Sequence, residues 1–304
     1  MTHKNTTPLS AALLLTTAFI AGNALATPAV WEAQLGTTVP AQFPDGIGKD
    51  TSLDDTDDGT TLAELTFESM SFPFAGTTYT GAAVLNIASN GFISLGGDNG
   101  DGCTVNGCSG DPVVLINDDF PRIAPFWTDL DPDVKGGDVY FNSFNDDADP
   151  AIDRIVITFA TGFFDCDPGE CSALAQVQLL EDGTIIFGYN GITQTIDQMS
   201  DVLVGLSPGN NAADPGSTNL SNNNPPIDSG TETTIYELFS SLPPPAFDLD
   251  NSNLIFTPKA GGGFIVSDNL LRPPASTEPP TWEPPLGASI STLLDKADNE
   301  TDGL

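Results

Sequence analysis

Histidine is nearly absent: the single copy, His3, stands at the very start, and everything after it lacks an imidazole. That remainder cannot build a Ser-His-Asp or Cys-His nucleophile pair or a histidine-ligated catalytic metal, which excludes the commonest hydrolase mechanisms. Basic residues are also scarce, with 8 Lys and Arg against 42 Asp and Glu and a formal net charge of −34. A chain this acidic repels nucleic acid and anionic membrane surfaces and attracts cations. An acidic surface suited to salty water accounts equally well for the imbalance. No run approaches the roughly 20 apolar residues needed to cross a bilayer, so no transmembrane segment is expected. A repeat of fixed period is missing as well, and helical periodicity is nearly absent before residue 286.

The first residues carry an address instead. Lys4 opens a short basic start, Ala11 to Ala21 is apolar, and Ala24-Leu25-Ala26 is a small-residue exit. This pattern predicts a secretory signal peptide over 1–26, cleaved before Thr27, and hence a secreted, extracellular or cell-surface protein. Cysteine, at four copies, is rare but paired: Cys103-Thr-Val-Asn-Gly-Cys108 and Cys166-Asp-Pro-Gly-Glu-Cys171 share one spacing. In an exported chain such pairs imply disulfides. Turn residues inside both loops favour local pairing, although four cysteines allow three connectivities and the spacing also permits a four-thiolate zinc site.

Residues 27–53 have few apolar positions and read as an extended lead-in, and Asp50 to Gly59 is an acidic turn cluster. Strand patterns follow at Leu65 to Phe72, Ala83 to Ile87, Phe92 to Leu95, Val113 to Ile116, Asp138 to Phe144, Arg154 to Phe159, Leu174 to Leu180, Thr184 to Tyr189, Val202 to Leu206 and Leu254 to Thr257. Asn90-Gly91 supplies the positive φ angles of a tight hairpin turn, and Asp182-Gly183 marks a second hairpin. Short β-rich runs divided by Gly, Asn, Asp and Pro predict an all-β, antiparallel β-sandwich with long acidic loops. Gly209 to Gly230 is a polar loop too long for a plain connection and is therefore flexible or functional. The tail over 258–304 is Pro-rich and stiff, with a short helix over Ala288 to Asp298 as one reading and a frayed end as the other.

Carboxylates carry the remaining chemistry. Asp129, Asp131, Asp133 and Asp138 alternate through a turn where their oxygens could converge on calcium, the candidate cofactor. Val134 stands where an EF-hand has its glycine and Tyr140 where it has its bidentate Glu, so the match to that loop is partial. Asp98, Asn99 and Asp101 form a second cluster beside Cys103. Solvated acids that shape a loop are the competing reading for both. Asp228-Ser229-Gly230 matches an aspartic-protease word, but that chemistry needs two carboxylates sharing a proton and the word occurs once. Phe126 and Trp127 fall in an apolar segment and read as core.

Several blocks occur in a fixed succession: Asp54 to Gly59, Phe72-Pro73-Phe74-Ala75-Gly76-Thr77-Thr78-Tyr79, Ile87 to Gly96, Ile123-Ala124-Pro125-Phe126-Trp127-Thr128-Asp129-Leu130-Asp131 and Gly137 to Phe141. Together they resemble the nidogen-like domain, over about residues 54 to 257, with the hairpin Ala175 to Tyr189 and the closing strand Val202 to Leu206 in their places. The resemblance implies an extracellular domain of adhesion, matrix or surface proteins and brings no catalytic residues. The expectation is a non-catalytic secreted protein that binds an extracellular protein or glycan. The alternative is a secreted, carboxylate-dependent polysaccharide hydrolase or its accessory domain, which needs two acids facing each other across a cleft.

Overall fold

A computed structural model describes residues 31–38, 41–42, 60–61, 65–100, 102–103, 108–132, 138–147, 149–164, 172–192, 200–240 and 247–268. The expected signal peptide, the Asp50 to Gly59 cluster, Asp101, Asp133, the Cys166–Cys171 pair and the part of the Pro-rich tail after Asp268 lie outside them. The strands in chain order begin with β1 (Thr37–Thr38), β2 (Ala41–Gln42), β3 (Thr60–Thr61), β4 (Thr66–Phe74), β5 (Thr77–Ala88) and β6 (Phe92–Leu95). A short helix α1 (Pro112–Asn117) precedes β7 (Arg122–Trp127), β8 (Leu130–Asp131), β9 (Asp138–Phe144), β10 (Arg154–Phe163) and β11 (Ala173–Leu180). The chain then forms β12 (Ile185–Tyr189), β13 (Val202–Ser207), β14 (Ile227–Asp228), β15 (Ile235–Phe239), β16 (Asn253–Pro258) and β17 (Phe264–Ser267).

These strands build two antiparallel sheets. One has nine strands in the order β1-β9-β10-β11-β12-β16-β17-β14, with β8 also on β10; the other has eight in the order β15-β13-β7-β6-β5-β3-β2, with β4 on β5. The main core lies between them. Ile155, Ile157, Phe159, Val177, Leu179, Phe187 and Phe256 from one sheet meet Leu85, Ile87, Ile93, Leu95, Ile123, Phe126 and Leu206 from the other. Alternation in the sequence gives this result because successive side chains of a strand point to opposite faces.

Both sheets also have a covered outer face, which explains strands that are buried on every residue. On the eight-stranded sheet, Phe92, Ala124, Trp127, Leu203 and Tyr236 pack with Leu115 and Ile116 of α1. On the nine-stranded sheet, Tyr140, Ala160 and Leu174 are covered by Trp31. The register between β7 and β13 shifts at Pro125-Phe126, where Trp127 pairs with Leu203 but Ala124 with Gly205. A bulge of this kind accommodates a strand proline, which has no N–H for the ladder. Phe126 joins the inner core while Trp127 enters the outer cluster.

Four expectations are altered. Val113 to Ile116 is helical, because Asp111 caps the turn by accepting from the Val113 N–H at 2.8 Å and Pro112 occupies the first turn. Proline pre-sets helical φ there, and this outweighs the β preference of so short a branched run. The β5–β6 connection is a three-residue loop, with Ala88 paired to Phe92 and only Gly91 at positive φ, +82°. The lead-in is part of both sheets through β1 on β9 and β2 on β3. At the other limit, the first sheet runs past residue 257, since β17 pairs with β16.

The loop Gly209 to Gly230 is pinned rather than loose. Thr218 N–H donates to the Tyr236 carbonyl at 2.8 Å, Leu220 N–H donates to Glu237 Oε2 at 2.8 Å, and the Tyr236 hydroxyl donates to Asp214 Oδ1 at 2.9 Å. The Leu220 side chain is buried in the main core.

Candidate functional site

One end of the sandwich is organised by the turn Ser89-Asn90-Gly91. Asn90 is fully buried, and its side-chain carbonyl accepts the Leu130 N–H at 2.9 Å while its amide donates to Cys103 Sγ at 3.4 Å. Its backbone carbonyl accepts the Thr128 N–H at 3.2 Å, and the Gly91 carbonyl accepts the Phe126 N–H at 3.2 Å. Gly91 must be glycine, since a Cβ there would lie 2.0 Å from the Phe126 carbonyl oxygen. The hairpin turn thereby fixes the Phe126–Asp131 segment and the first cysteine.

The disulfide Cys103–Cys108 forms, as local pairing predicts. Gly102 presses the start of its loop onto two aromatic rings; an added Cβ would lie 2.7 Å from Phe92 and 2.8 Å from Trp127 Nε1. The Arg122 guanidinium lies over both rings, 3.8 Å from the Phe92 centroid and 4.0 Å from that of Trp127. Arg122 is fully buried and ion-paired with Asp118 at 2.5 Å. Burial pushes the Asp118 carboxyl up to about 6 even though Arg122 draws it down. A buried cation stacked on aromatics and ion-paired with a carboxylate is costly to disturb.

Downstream, Gly110 N–H donates to the Asp201 carbonyl at 2.9 Å, which brings the start of α1 to the same end as Trp127. Phe164 N–H donates to the Asp129 carbonyl at 3.1 Å, which brings the end of β10 there too. Val113 and Phe164 are the large apolar side chains exposed among the described residues, at 64% and 41%. Phe163, its neighbour, is buried in the core.

Two of the predicted cation ligands, Asp131 and Asp138, stand beside one strand, β10. β8 and β9 both pair with β10, with Asp131 opposite Gly162 and Asp138 opposite Ala160. Positions two apart on β10 share a face, so Asp131 and Asp138 do as well. Asp138 is buried and accepts the Val139 N–H at 2.6 Å. Asp129 precedes them in the turn, and Asp133 lies outside the described residues. Asp98 lies in the loop after β6 of the other sheet, where its oxygens accept from Gly100 N–H at 2.7 Å and the Thr60 hydroxyl at 3.3 Å; its expected companion Asp101 is outside the described residues. Among the described residues, no three carboxylates or thiolates converge as a metal site. Asp228 at the end of β14 is ion-paired with Lys259 in the turn between β16 and β17, and that lysine's hydrogen bond holds its carboxyl below the ordinary range.

A family model described as NIDO related matches residues 41–258. The chain belongs to this family. No curated protein and no solved structure matches the chain. The NIDO-related span runs from β2 through β16 and contains the whole disulfide end, including Asn90, Arg122 and Phe164. It leaves β1 and β17 outside. NIDO-related domains are of extracellular type, which accords with the expected export signal. None of the described helices is long and apolar enough to cross a membrane.

Sequence reasoning missed Asn90 as a hub and the two buried arginines, Arg122 and Arg154. A signal was present for the arginines. In a chain with so few cations, each one is placed against a large excess of carboxylates and is worth tracing.

Proposed function

We propose that this NIDO-related chain is a secreted, non-catalytic binding or structural protein that meets an extracellular protein or glycan through the disulfide end of its sandwich. The observation that carries the reading is the placement of Val113 and Phe164, both exposed and both held on segments fixed at that end. Exposed large apolar side chains on a rigid frame are what a binding surface offers and what solubility alone disfavours. Calcium is proposed to order the adjacent acidic rim through Asp129, Asp131, Asp133 and Asp138. Two of these already share a face of the sheet.

Two measurements test the reading. Val113→Asp with Phe164→Asp is expected to abolish retention on immobilised extracellular material while leaving the melting temperature nearly unchanged. Millimolar calcium is expected to raise the melting temperature of the wild-type chain, because a ligand specific to the folded state stabilises it. An unchanged melt removes calcium from the account.

A further inference from the structure

The segment 31–38 is held to the molecule almost entirely by contacts that are distant in sequence. Trp31 is 5% exposed and packs with Tyr140, Ala160 and Leu174; Gly188 leaves room for its ring, since a Cβ there would lie 3.1 Å from it. The backbone of Glu32 is read by one side-chain amide: its N–H donates to Gln176 Oε1 at 2.8 Å, and its carbonyl accepts from Gln176 Nε2 at 3.0 Å. Gln176 is itself fixed by the Thr158 hydroxyl at 2.8 Å and by Gln178 Nε2 at 3.0 Å. The Glu32 carboxylate accepts from Arg154 Nη2 at 2.9 Å, and that guanidinium is braced by Asp146 at 2.6 Å and by the Phe144 ring at 4.1 Å. Asn142 Nδ2 donates to the Gln34 carbonyl at 3.0 Å, and Thr37 and Thr38 then add a strand to the β9 edge opposite Phe141 and Tyr140.

The acceptor residues Asn142, Arg154, Gln176 and Gly188 fall inside the family span of 41–258, while the whole occupying segment falls outside it. The domain thus receives this segment as an extended peptide: the adjacent side chains of Trp31 and Glu32 are each held, and the β9 edge takes the strand that follows. Its charge matches the occupant: a buried arginine in a very acidic chain receives one glutamate.

We propose that the outer face of the nine-stranded sheet and its β9 edge form a strand-acceptor site for Trp31–Thr38 of a second copy, so that copies of the chain join by exchanging this segment. Every contact described above is preserved when the segment comes from a neighbour, since no bond in it depends on which chain supplies the strand. Exchange of an identical element is a low-cost route to association. Mutual repulsion between acidic copies opposes it, so the assembled form is favoured by salt that screens charge.

The test uses full-length chains. A variant carrying Trp31→Ala and Glu32→Ala disables the segment and keeps the acceptor. A fluorescent peptide of the wild-type sequence Trp31–Thr38 is expected to bind this variant saturably in an anisotropy titration, and a Glu32→Arg peptide is expected to bind at least about tenfold more weakly. In parallel, two wild-type chains of different tag mass are unfolded, mixed and refolded together at high concentration in salt. Native mass spectrometry is expected to show mixed dimers or longer chains, and Trp31→Ala in both partners is expected to remove them. Equal binding of a scrambled peptide, or monomers alone after refolding the wild-type mixture, overturns the proposal.

Discussion

At the scale of single residues, Asn90 does the most to join the parts of the candidate site. Its carboxamide serves Leu130 and Cys103 at once from a position with no solvent access. Asn90→Ala leaves the buried Leu130 N–H without its acceptor, an expected loss of about 1–3 kcal/mol that a thermal melt reads directly. Two acids impose a pH dependence. Burial pushes Asp118 up to about 6 and Glu237 up to about 7; Arg122 opposes the first shift and Asp119 adds to it, while the Leu220 N–H opposes the second and Asp248 adds to it. Tyr189 also faces Glu237 from β12 and is raised well above its ordinary value, first by burial. Both acids bind protons more tightly folded than unfolded, so their contribution favours the folded state below their unfolded values. It declines as pH rises through about 4 to 7. The melting temperature is expected to fall between pH 5 and 8 by roughly several degrees. Glu237→Gln is expected to flatten part of that slope without removing the hydrogen-bonded hold on Leu220, and an unchanged slope would refute the assignment.

At the scale of elements, the hairpins were readable because glycine marks them. Gly91 and Gly183 sit at φ of +82° and +84°, and the apolar alternation on either side fixed the faces. The same reasoning failed at Val113 to Ile116. A four-residue apolar run says nothing of period, and the cap at Asp111 with Pro112 decided the outcome locally. Asp111→Ala is expected to cost about 0.5–2 kcal/mol through that cap, seen as a lower melting temperature. The strands β1, β15 and β17 were unreadable for a different reason. Each is short and is made stable by what it adds to: β9, β13 and β16 respectively. The relation between the candidate cation ligands was not legible, because Asp131 and Asp138 are seven residues apart and share a face only through their partners Gly162 and Ala160 on β10, a long-range register that pattern alone does not carry.

At the scale of the whole molecule, the family, the two-sheet architecture and the core position of Trp127 were visible in sequence, since each rests on pattern and order. The identity of the exposed surface was not, because it depends on which apolar residues remain after both outer faces are covered. α1 covers one face and Trp31 the other, leaving Val113 and Phe164 outside. The acidic charge keeps such a molecule dispersed, and the recognition surface proposed for it is a small apolar one with an acidic rim. The most direct measurement is surface-retention of the purified chain on immobilised extracellular material, in calcium, beside the Val113→Asp and Phe164→Asp double variant with a matching melt. The account predicts saturable retention of the wild type and loss of it in the folded variant; equal retention of the two would contradict it.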